Sequence, residues 1–265
     1  LQELDALENA MPHMREVIAF VRSQIQLGRA NKDGLYIPPI LLAGEPGVGK
    51  THFAQELAGL LGLPVHLQSM DTDVANTVFL GSDKKWSNSQ MGVLFELIGM
   101  GQYANPMLIL DELDKTSRHH SGGPATQSLH SLLEPVSARR VRDISLEIEF
   151  DASRVIWIAT ANEPQRIAAP LRSRFKEFWI QQPSAADAIQ MAKVMVTRLI
   201  PELAPANFQI PGRTFIVQMA HLSAREIYQT LQEAIAKAVV NERLHLLPSD
   251  LPAELQGEGA QKFWL

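Results

Sequence analysis

The sequence of 265 residues contains no cysteine, which excludes disulfide bonds, cysteine–zinc sites, iron–sulfur clusters and thiol catalysis. No stretch approaches the roughly 18 consecutive apolar residues of a membrane-spanning helix, and the N-terminus lacks a basic-then-apolar secretion signal. A net charge of only −5 provides no broad positive field for nucleic acid or anionic membranes. We therefore expect a soluble, cytoplasmic protein, and the start at Leu1 rather than methionine is compatible with a piece of something longer.

The arrangement of apolar residues predicts an α/β fold. Continuous apolar runs predict buried strands at Ile40–Ala43, Val65–Gln68, Met107–Leu110, Val155–Thr160 and Phe178–Ile180. Helical periodicity predicts helices at Thr51–Leu61, Met91–Met100, Ala125–Leu133 and Gln165–Arg174, and an N-terminal helical segment, Glu3–Leu27, interrupted at Pro12. Strands that alternate with helices favour a five-stranded parallel sheet with both faces covered.

The pattern changes after Gln182, where strand signals stop. Ser184 with Asp187, and Ser223 with Glu226, have the spacing of helix-capping boxes. We therefore predict an α/β domain over 1–182 that includes the N-terminal helical segment, a small helical domain over 183–247, and an irregular tail over 248–265.

The segment Gly44-Glu45-Pro46-Gly47-Val48-Gly49-Lys50-Thr51 matches the phosphate-binding pattern G-x-x-x-x-G-K-[ST]. It follows a predicted strand and opens a predicted helix, which is the context that this motif requires. Its glycines allow backbone N–H groups to surround phosphates, and the helix N-terminus adds partial positive charge. In this motif, Lys50 would reach the β- and γ-phosphates and the Thr51 hydroxyl would hold Mg²⁺.

A second acidic motif, Asp111-Glu112, ends the apolar run Met107–Leu110. The carboxyl end of a parallel strand would place Asp111 beside the phosphate-binding loop. Asp111 can then hold Mg²⁺ through water, while Glu112 can activate the attacking water. We interpret the pair as hydrolytic, although acidic residues at a strand end can also serve only to start the next helix.

Two other nucleotide-binding classes fit less well. The guanine-recognition pattern N-K-x-D of GTPases usually lies late in the chain, whereas Asn31-Lys-Asp-Gly34 precedes the phosphate-binding loop. Small-molecule kinases share the loop, but they have less reason to carry the Asp111-Glu112 pair.

These residues resemble the AAA+ ATPases, and within them the ATPase module of Lon-type proteases, over about Met11 to Val240. The motifs that carry the resemblance, in chain order, are the loop Gly44–Thr51, the extended Walker B segment Leu110–Lys115, the sensor 1 strand Ile158–Asn162, the arginine-finger segment Ala169–Phe175 and the sensor 2 segment Ser223–Glu226. The segments Leu132–Pro135 and Leu146–Asp151 also resemble the Lon-type stretch between Walker B and sensor 1.

The resemblance implies a role for each motif. Asn162 would polarise the attacking water, and Arg225 would contact the γ-phosphate from the helical domain. Arg174 would reach the γ-phosphate of a neighbouring subunit, where an arginine supplied in trans contributes roughly 10³–10⁵ in rate. Arg172 is a second candidate for this arginine finger.

Trp86, in the stretch Lys84-Lys85-Trp86, lies where the family has a pore-lining loop with an aromatic that grips a translocating chain. The usual aromatic–aliphatic–glycine triplet is absent, because Ser87-Asn88 follows the tryptophan. His119-His120 lies where a second pore loop would be, and we interpret it as a flexible loop rather than a metal site.

The resemblance implies an Mg²⁺- and ATP-dependent, Lon-like ATPase that forms a hexameric ring or helical oligomer and remodels or translocates a protein. Only about twenty residues follow the helical domain, so the chain is expected to carry no peptidase domain of its own. A nucleic-acid motor or loader on the same core, which the net acidity disfavours, and an ATP-dependent assembly scaffold without threading activity remain alternatives.

Overall fold

The computed structural model describes residues 2–30, 35–70, 77–85, 89–116 and 126–256. The helices are α1 (Gln2–Ala10), α2 (Arg15–Ala30), α3 (Lys50–Leu61), α4 (Thr77–Leu80), α5 (Val93–Gly99), α6 (Thr126–Leu132), α7 (Pro135–Ala138), α8 (Ala169–Arg172), α9 (Ala185–Leu203), α10 (Arg213–Val217) and α11 (Ala224–Val240). The strands are β1 (Ile40–Gly44), β2 (Val65–Ser69), β3 (Met107–Asp111), β4 (Val141–Arg142), β5 (Glu149–Phe150), β6 (Ile156–Ala161) and β7 (Lys176–Ile180). Short 3₁₀ turns lie at Pro12–Met14, Leu113–Lys115, Pro164–Arg166, Pro248–Asp250 and Ala253–Leu255.

The chain forms two compact units. One contains Ala19–Gly44 and Lys50–Ile180, and the other contains Leu1–Ile18, Glu45–Gly49 and Gln181–Leu265. Within the part of the chain that is described, no helix is long and apolar enough to cross a membrane.

The first unit is built on a five-stranded parallel sheet in the order β2–β3–β6–β1–β7. The predicted five-stranded parallel sheet is therefore confirmed. All residues of β1 and β6 are buried, because both strands lie inside the sheet. Helix α3 packs against β1, β3 and β6, while Leu108, Leu110 and Trp157 contribute to a core cluster.

Strand β2 corrects one prediction. The sequence predicts a buried strand here, but β2 lies at the edge of the sheet, with Val65 45% exposed and Leu67 42% exposed. The apolar run specifies a strand, but its burial depends on what neighbours it on both sides. The predicted helix Gln165–Arg174 is also broken, into the turn Pro164–Arg166 and the short helix α8.

Strands β4 and β5 form an antiparallel hairpin that the apolar pattern does not predict. The hairpin is anchored by Asp143, a fully buried carboxylate that accepts hydrogen bonds from the N–H groups of Gly92 (2.7 Å) and Leu146 (2.9 Å). Two-residue strands carry too little hydrophobic periodicity to be recognised, whereas these tertiary hydrogen bonds hold them in place.

In the second unit, helices α9 and α11 pack together around a core of their own. Both predicted capping boxes are confirmed, with Ser184 and Asp187 at the start of α9 and Ser223 and Glu226 at the start of α11. Hydrogen bonds from the Ser223 side chain and backbone lower the pKa of Glu226. The helix start signals are local, so the sequence is sufficient to predict them.

Candidate functional site

The Gly44–Thr51 segment forms the loop between the end of β1 and the first residues of α3. Gly47 and Gly49 have φ angles of 85° and 90°, in the left-handed region that glycine adopts without a steric penalty. The Lys50 ammonium donates a hydrogen bond of 2.7 Å to the carbonyl oxygen of Gly44. The lysine side chain therefore connects the two ends of the loop.

Asp111 ends β3 and accepts hydrogen bonds from two hydroxyl groups. Thr51 Oγ1 donates to Asp111 Oδ1 at 2.5 Å, and Thr160 Oγ1 donates to the same oxygen at 2.7 Å. Asp111 and Thr160 meet because parallel strands place their carboxyl ends at one edge of the sheet, and Thr51 lies in the first turn of α3. Thr51 and Asp111, the predicted Mg²⁺ ligands, are thus adjacent, and Thr160 joins them without any sequence signal that distinguishes it from other strand threonines.

Asn162, directly after β6, contacts the lysine of the phosphate-binding loop. Its side-chain Oδ1 accepts a hydrogen bond of 2.8 Å from Lys50 Nζ. Burial lowers the pKa of Lys50, while the carboxylates of Asp114, Asp111 and Glu112 act in the opposite direction. The edge of the sheet therefore holds a buried cation beside three carboxylates.

Glu112 has a left-handed backbone, with φ 57° and ψ 45°. Its N–H donates to Thr160 Oγ1 at 2.9 Å, and its carboxylate Oε1 accepts a 2.7 Å hydrogen bond from Lys115 Nζ. Non-glycine residues in this conformation are uncommon and concentrate at functional sites. In this state the predicted catalytic carboxylate is thus engaged by Lys115, a partner that the sequence analysis does not predict.

Asp114 also lies at this edge of the sheet and carries no prediction of its own. One of its carboxylate oxygens accepts the backbone N–H groups of Asn162 and Glu163, at 3.1 and 2.8 Å. The turn Leu113–Lys115 brings the side chain back to the sheet because a 3₁₀ turn repeats every three residues.

These residues fit a nucleoside triphosphate with Mg²⁺. The left-handed Gly47 and Gly49 contribute no Cβ atoms to the loop, and a threonine hydroxyl lies beside a carboxylate in the donor set that Mg²⁺ prefers. In the described segments, no group of three or more histidine or acidic side chains is arranged to hold a metal by itself. Mg²⁺ commonly takes one or two protein oxygens and completes its shell with phosphates and water, so the site suits a metal that arrives with a nucleotide.

The two candidate finger arginines have different surroundings. Arg172 forms a bidentate ion pair with Glu177, with two hydrogen bonds of 2.7 Å, which raises the pKa of Arg172. Arg174 donates to the carbonyl oxygens of His130 (3.0 Å) and Pro170 (3.4 Å). The recorded contacts of Arg174 are thus with uncharged backbone oxygens, whereas Arg172 is held by a carboxylate of its own chain.

The loop residues Glu45–Gly49 and the start of α11 belong to the second compact unit, where they lie close together. A Cβ atom built on Gly47 would lie 3.8 Å from Ser223 Oγ, and one on Gly49 would lie 3.8 Å from Ala224 Cβ. Arg225 is the second residue of α11 and is exposed. The same unit brings His13 Nε2 within 2.8 Å of the Val48 carbonyl oxygen.

Trp86 lies outside the described residues, as does His119-His120. The segment before and after Trp86 is joined by two hydrogen bonds, from the Ser82 N–H to the Gln90 carbonyl (3.0 Å) and from the Gln90 N–H to Ser82 Oγ (2.9 Å). Lys84 and Lys85 are exposed. These two hydrogen bonds hold Ser82 and Gln90 together.

The chain is similar to Lon proteases. It is 28% identical to the Lon protease of Mycoplasma mobile over 204 aligned residues. This alignment covers 76% of this chain and 24% of that protein. It is 29% identical over 217 residues to the Lon protease of Malacoplasma penetrans (79% and 28%), and 30% identical over 177 residues to the peroxisomal Lon protease homolog 2 of Zea mays (66% and 20%). The chain thus spans about a quarter of the length of these relatives.

A solved structure with a similar fold is that of a proline-to-glycine mutant of RuvB from Thermotoga maritima. The match has a TM-score of 0.63 and covers 89% of this chain and 67% of the RuvB chain. The two sequences are 15% identical. The profile of the ATPase family associated with various cellular activities (AAA) matches residues 40–182, more than half of the chain. The phosphate-binding loop, the acidic strand end and the parallel sheet that joins them therefore belong to a member of the AAA family of ATPases, related to the ATPase region of Lon proteases.

Proposed function

We propose that this chain hydrolyses ATP with Mg²⁺ at the subunit interfaces of a ring or helical oligomer, and that it uses the reaction to remodel or translocate a protein in the cytoplasm. The observation that carries the proposal is a set of three hydrogen bonds, from Lys50 to Asn162 and from the hydroxyl groups of Thr51 and Thr160 to Asp111. In this proposal, residues 1–182 form the nucleotide-binding domain, 183–247 a helical lid, and 248–265 a tail.

The phosphate-binding residues have defined tasks. Lys50 contacts the β- and γ-phosphates, and the backbone of Glu45–Gly49 surrounds them. Thr51 and Asp111 would hold Mg²⁺, which neutralises charge on the phosphate oxygens when it is bound. Hydrogen bonds from two hydroxyl groups hold Asp111 in position.

For hydrolysis, Glu112 accepts a proton from water while the water oxygen forms a bond to the γ-phosphorus. The bond from that phosphorus to the bridging oxygen breaks, which releases ADP and inorganic phosphate. Asn162 orients the water. Lys115 donates a hydrogen bond to one oxygen of the Glu112 carboxylate, Oε1.

For assembly, we assign the arginine finger to Arg174. Arg172 is engaged by Glu177, and breaking a bidentate pair to reach another subunit would cost more than releasing two carbonyl contacts. Arg225 would contact the γ-phosphate from the helical lid, because its position in the first turn of α11 is unfavourable for a cation unless an anion lies nearby.

Phosphate release by the purified chain, together with binding of a fluorescent ATP analogue, tests the site. We expect Lys50→Ala to abolish both binding and hydrolysis, and Glu112→Gln to bind ATP and lose turnover. Glu202→Gln, which removes an exposed carboxylate in the helical region, is the control and should match the wild type. Equal loss of binding in the Lys50 and Glu112 variants would show that Glu112 is structural.

Mixed oligomers test the finger. Arg174→Ala and Lys50→Ala subunits are each expected to be inactive alone, and their mixture should regain part of the activity because each supplies what the other lacks. Mixed oligomers that form without regaining activity would argue against a finger in trans. If Arg172→Ala complements instead, the finger is Arg172.

Electron microscopy of Glu112→Gln with ATP tests the assembly and its substrate. We expect a ring or helical oligomer with polypeptide in its centre, and ATPase stimulation by an unfolded protein. Stimulation by DNA instead would favour the nucleic-acid motor. An oligomer that forms with ATP but is stimulated by neither would favour the scaffold.

A further inference from the structure

Asp114 is a buried carboxylate beside the nucleotide site, with only 8% of the residue exposed. Its Oδ2 accepts hydrogen bonds from the backbone N–H groups of Asn162 (3.1 Å) and Glu163 (2.8 Å). Its Oδ1 is buried and has no hydrogen-bond partner among the described residues. A buried carboxylate with one unsatisfied oxygen is unfavourable for folding, so its presence at this position indicates a functional role.

The contacts of Asp114 lead directly to the phosphate-binding loop. Strand β6 ends at Ala161, and the carboxylate binds the next two N–H groups, which fixes the direction in which the backbone leaves the sheet. The Asn162 side chain then reaches Lys50 at 2.8 Å. Asp114 is thus connected to Lys50 through Asn162.

We propose that Asp114 is a positioning residue for ATP hydrolysis: it holds the backbone of Asn162 so that the Asn162 side chain is aligned with Lys50 and with the attacking water. This inference rests on the proposed ATPase function. It adds a residue that acts on the site through Asn162.

The first test compares Asp114→Ala with Asp114→Asn. The asparagine carbonyl oxygen can still accept both N–H groups, whereas alanine accepts neither. We expect kcat to fall about 10- to 100-fold in Asp114→Ala, with the KM for ATP changed less than about threefold, and to stay within about threefold of wild type in Asp114→Asn. Asp151→Ala is the matched control, because Asp151 accepts one N–H, that of Ser153, in the exposed loop before β6.

A double-mutant cycle separates positioning from general support of the fold. In an Asn162→Ala background, Asp114→Ala should change kcat less than about twofold, since its effect passes through the missing side chain. If Asp114→Ala lowers kcat by the same factor in both backgrounds, the inference is overturned. An Asp114→Ala variant as active as the wild type would also overturn it.

Amide hydrogen exchange in the absence of ATP measures how well Asp114 protects the backbone after β6. The N–H groups of Asn162 and Glu163 should exchange at least about tenfold faster in Asp114→Ala, with protection retained in Asp114→Asn and unchanged in β1. Unchanged exchange at these two amides would refute the inference. If the wild type itself hydrolyses no ATP, the proposed function fails first, and the positioning role fails with it.

Discussion

Substituting Thr160 tests the importance of its hydroxyl group, which contacts Asp111 and Glu112 at the end of β3. The residue is 2% exposed, and its hydroxyl donates to Asp111 at 2.7 Å and accepts the Glu112 N–H at 2.9 Å. Valine has nearly the same shape and the same β-branching, so Thr160→Val removes both hydrogen bonds and leaves packing and strand propensity intact. Thr160→Ser keeps the hydroxyl and removes one methyl group.

The expected magnitudes follow from these contacts. Losing a hydrogen bond to a charged group costs about 1.5–3 kcal/mol, and an unpaired N–H at Glu112 adds about 1–3 kcal/mol. Allowing for partial relaxation, we expect Thr160→Val to lower the free energy of unfolding by about 3 kcal/mol, which is a fall in Tm of about 6–12 °C. Thr160→Ser should lose only about 1 kcal/mol for the missing methyl group.

Thermal unfolding without nucleotide and ATPase titration with Mg²⁺ provide the assay. In Thr160→Val, Asp111 loses the hydrogen bond that Thr160 donates. The Mg²⁺ concentration for half-maximal activity should therefore rise about tenfold, equivalent to about 1.4 kcal/mol. It should change little in Thr160→Ser. We therefore expect the serine variant to be more stable and more active than the valine variant, although valine conserves the side-chain volume. A valine variant as stable and as active as the serine variant would refute it.

Three further predictions concern other parts of the chain. In Gly44→Ala, the new Cβ would overlap the Ile180 carbonyl oxygen at a φ of 155°, so unfolding free energy should fall by about 2 kcal/mol or more, whereas Gly59→Ala, in open space within α3, should be neutral or stabilising in the same melting assay. Arg243 lowers the pKa of Asp250, so the pair contributes stability above the ordinary aspartate pKa of about 3.9 and loses it as the pH falls through the lower folded value. The Tm of Arg243→Met should therefore lie well below wild type at pH 7, and the difference should shrink in melts taken towards pH 3, while a constant difference would contradict the assignment. Trp86→Ala should keep its Tm, assembly and basal ATPase rate but lose stimulation by an unfolded protein, and a marked fall in Tm would instead indicate a core tryptophan.

Local patterns were sufficient for much of the fold. The apolar runs predicted the five parallel strands, and the serine–acid spacing predicted both capping boxes, because these signals depend on residues within a few positions of each other. The hairpin β4–β5 escaped prediction because its strands have two residues each and depend on the distant contact from Asp143 to Gly92.

The candidate site divides in the same way. The sequence from Gly44 to Thr51 was sufficient to predict the phosphate-binding loop, because the spacing of its glycines and the lysine that follows them lie within one short segment. The sequence also indicated that Asp111, Glu112 and Asn162 end strands. Only the tertiary structure decided that Thr160 and Asp114 join them, that Lys115 binds Glu112, and that Glu177 engages Arg172 rather than Arg174. Thr160 bonds Asp111 from 49 positions away and Asp114 bonds Asn162 from 48, so the order of strands in the sheet, which no local pattern specifies, determines which side chains meet.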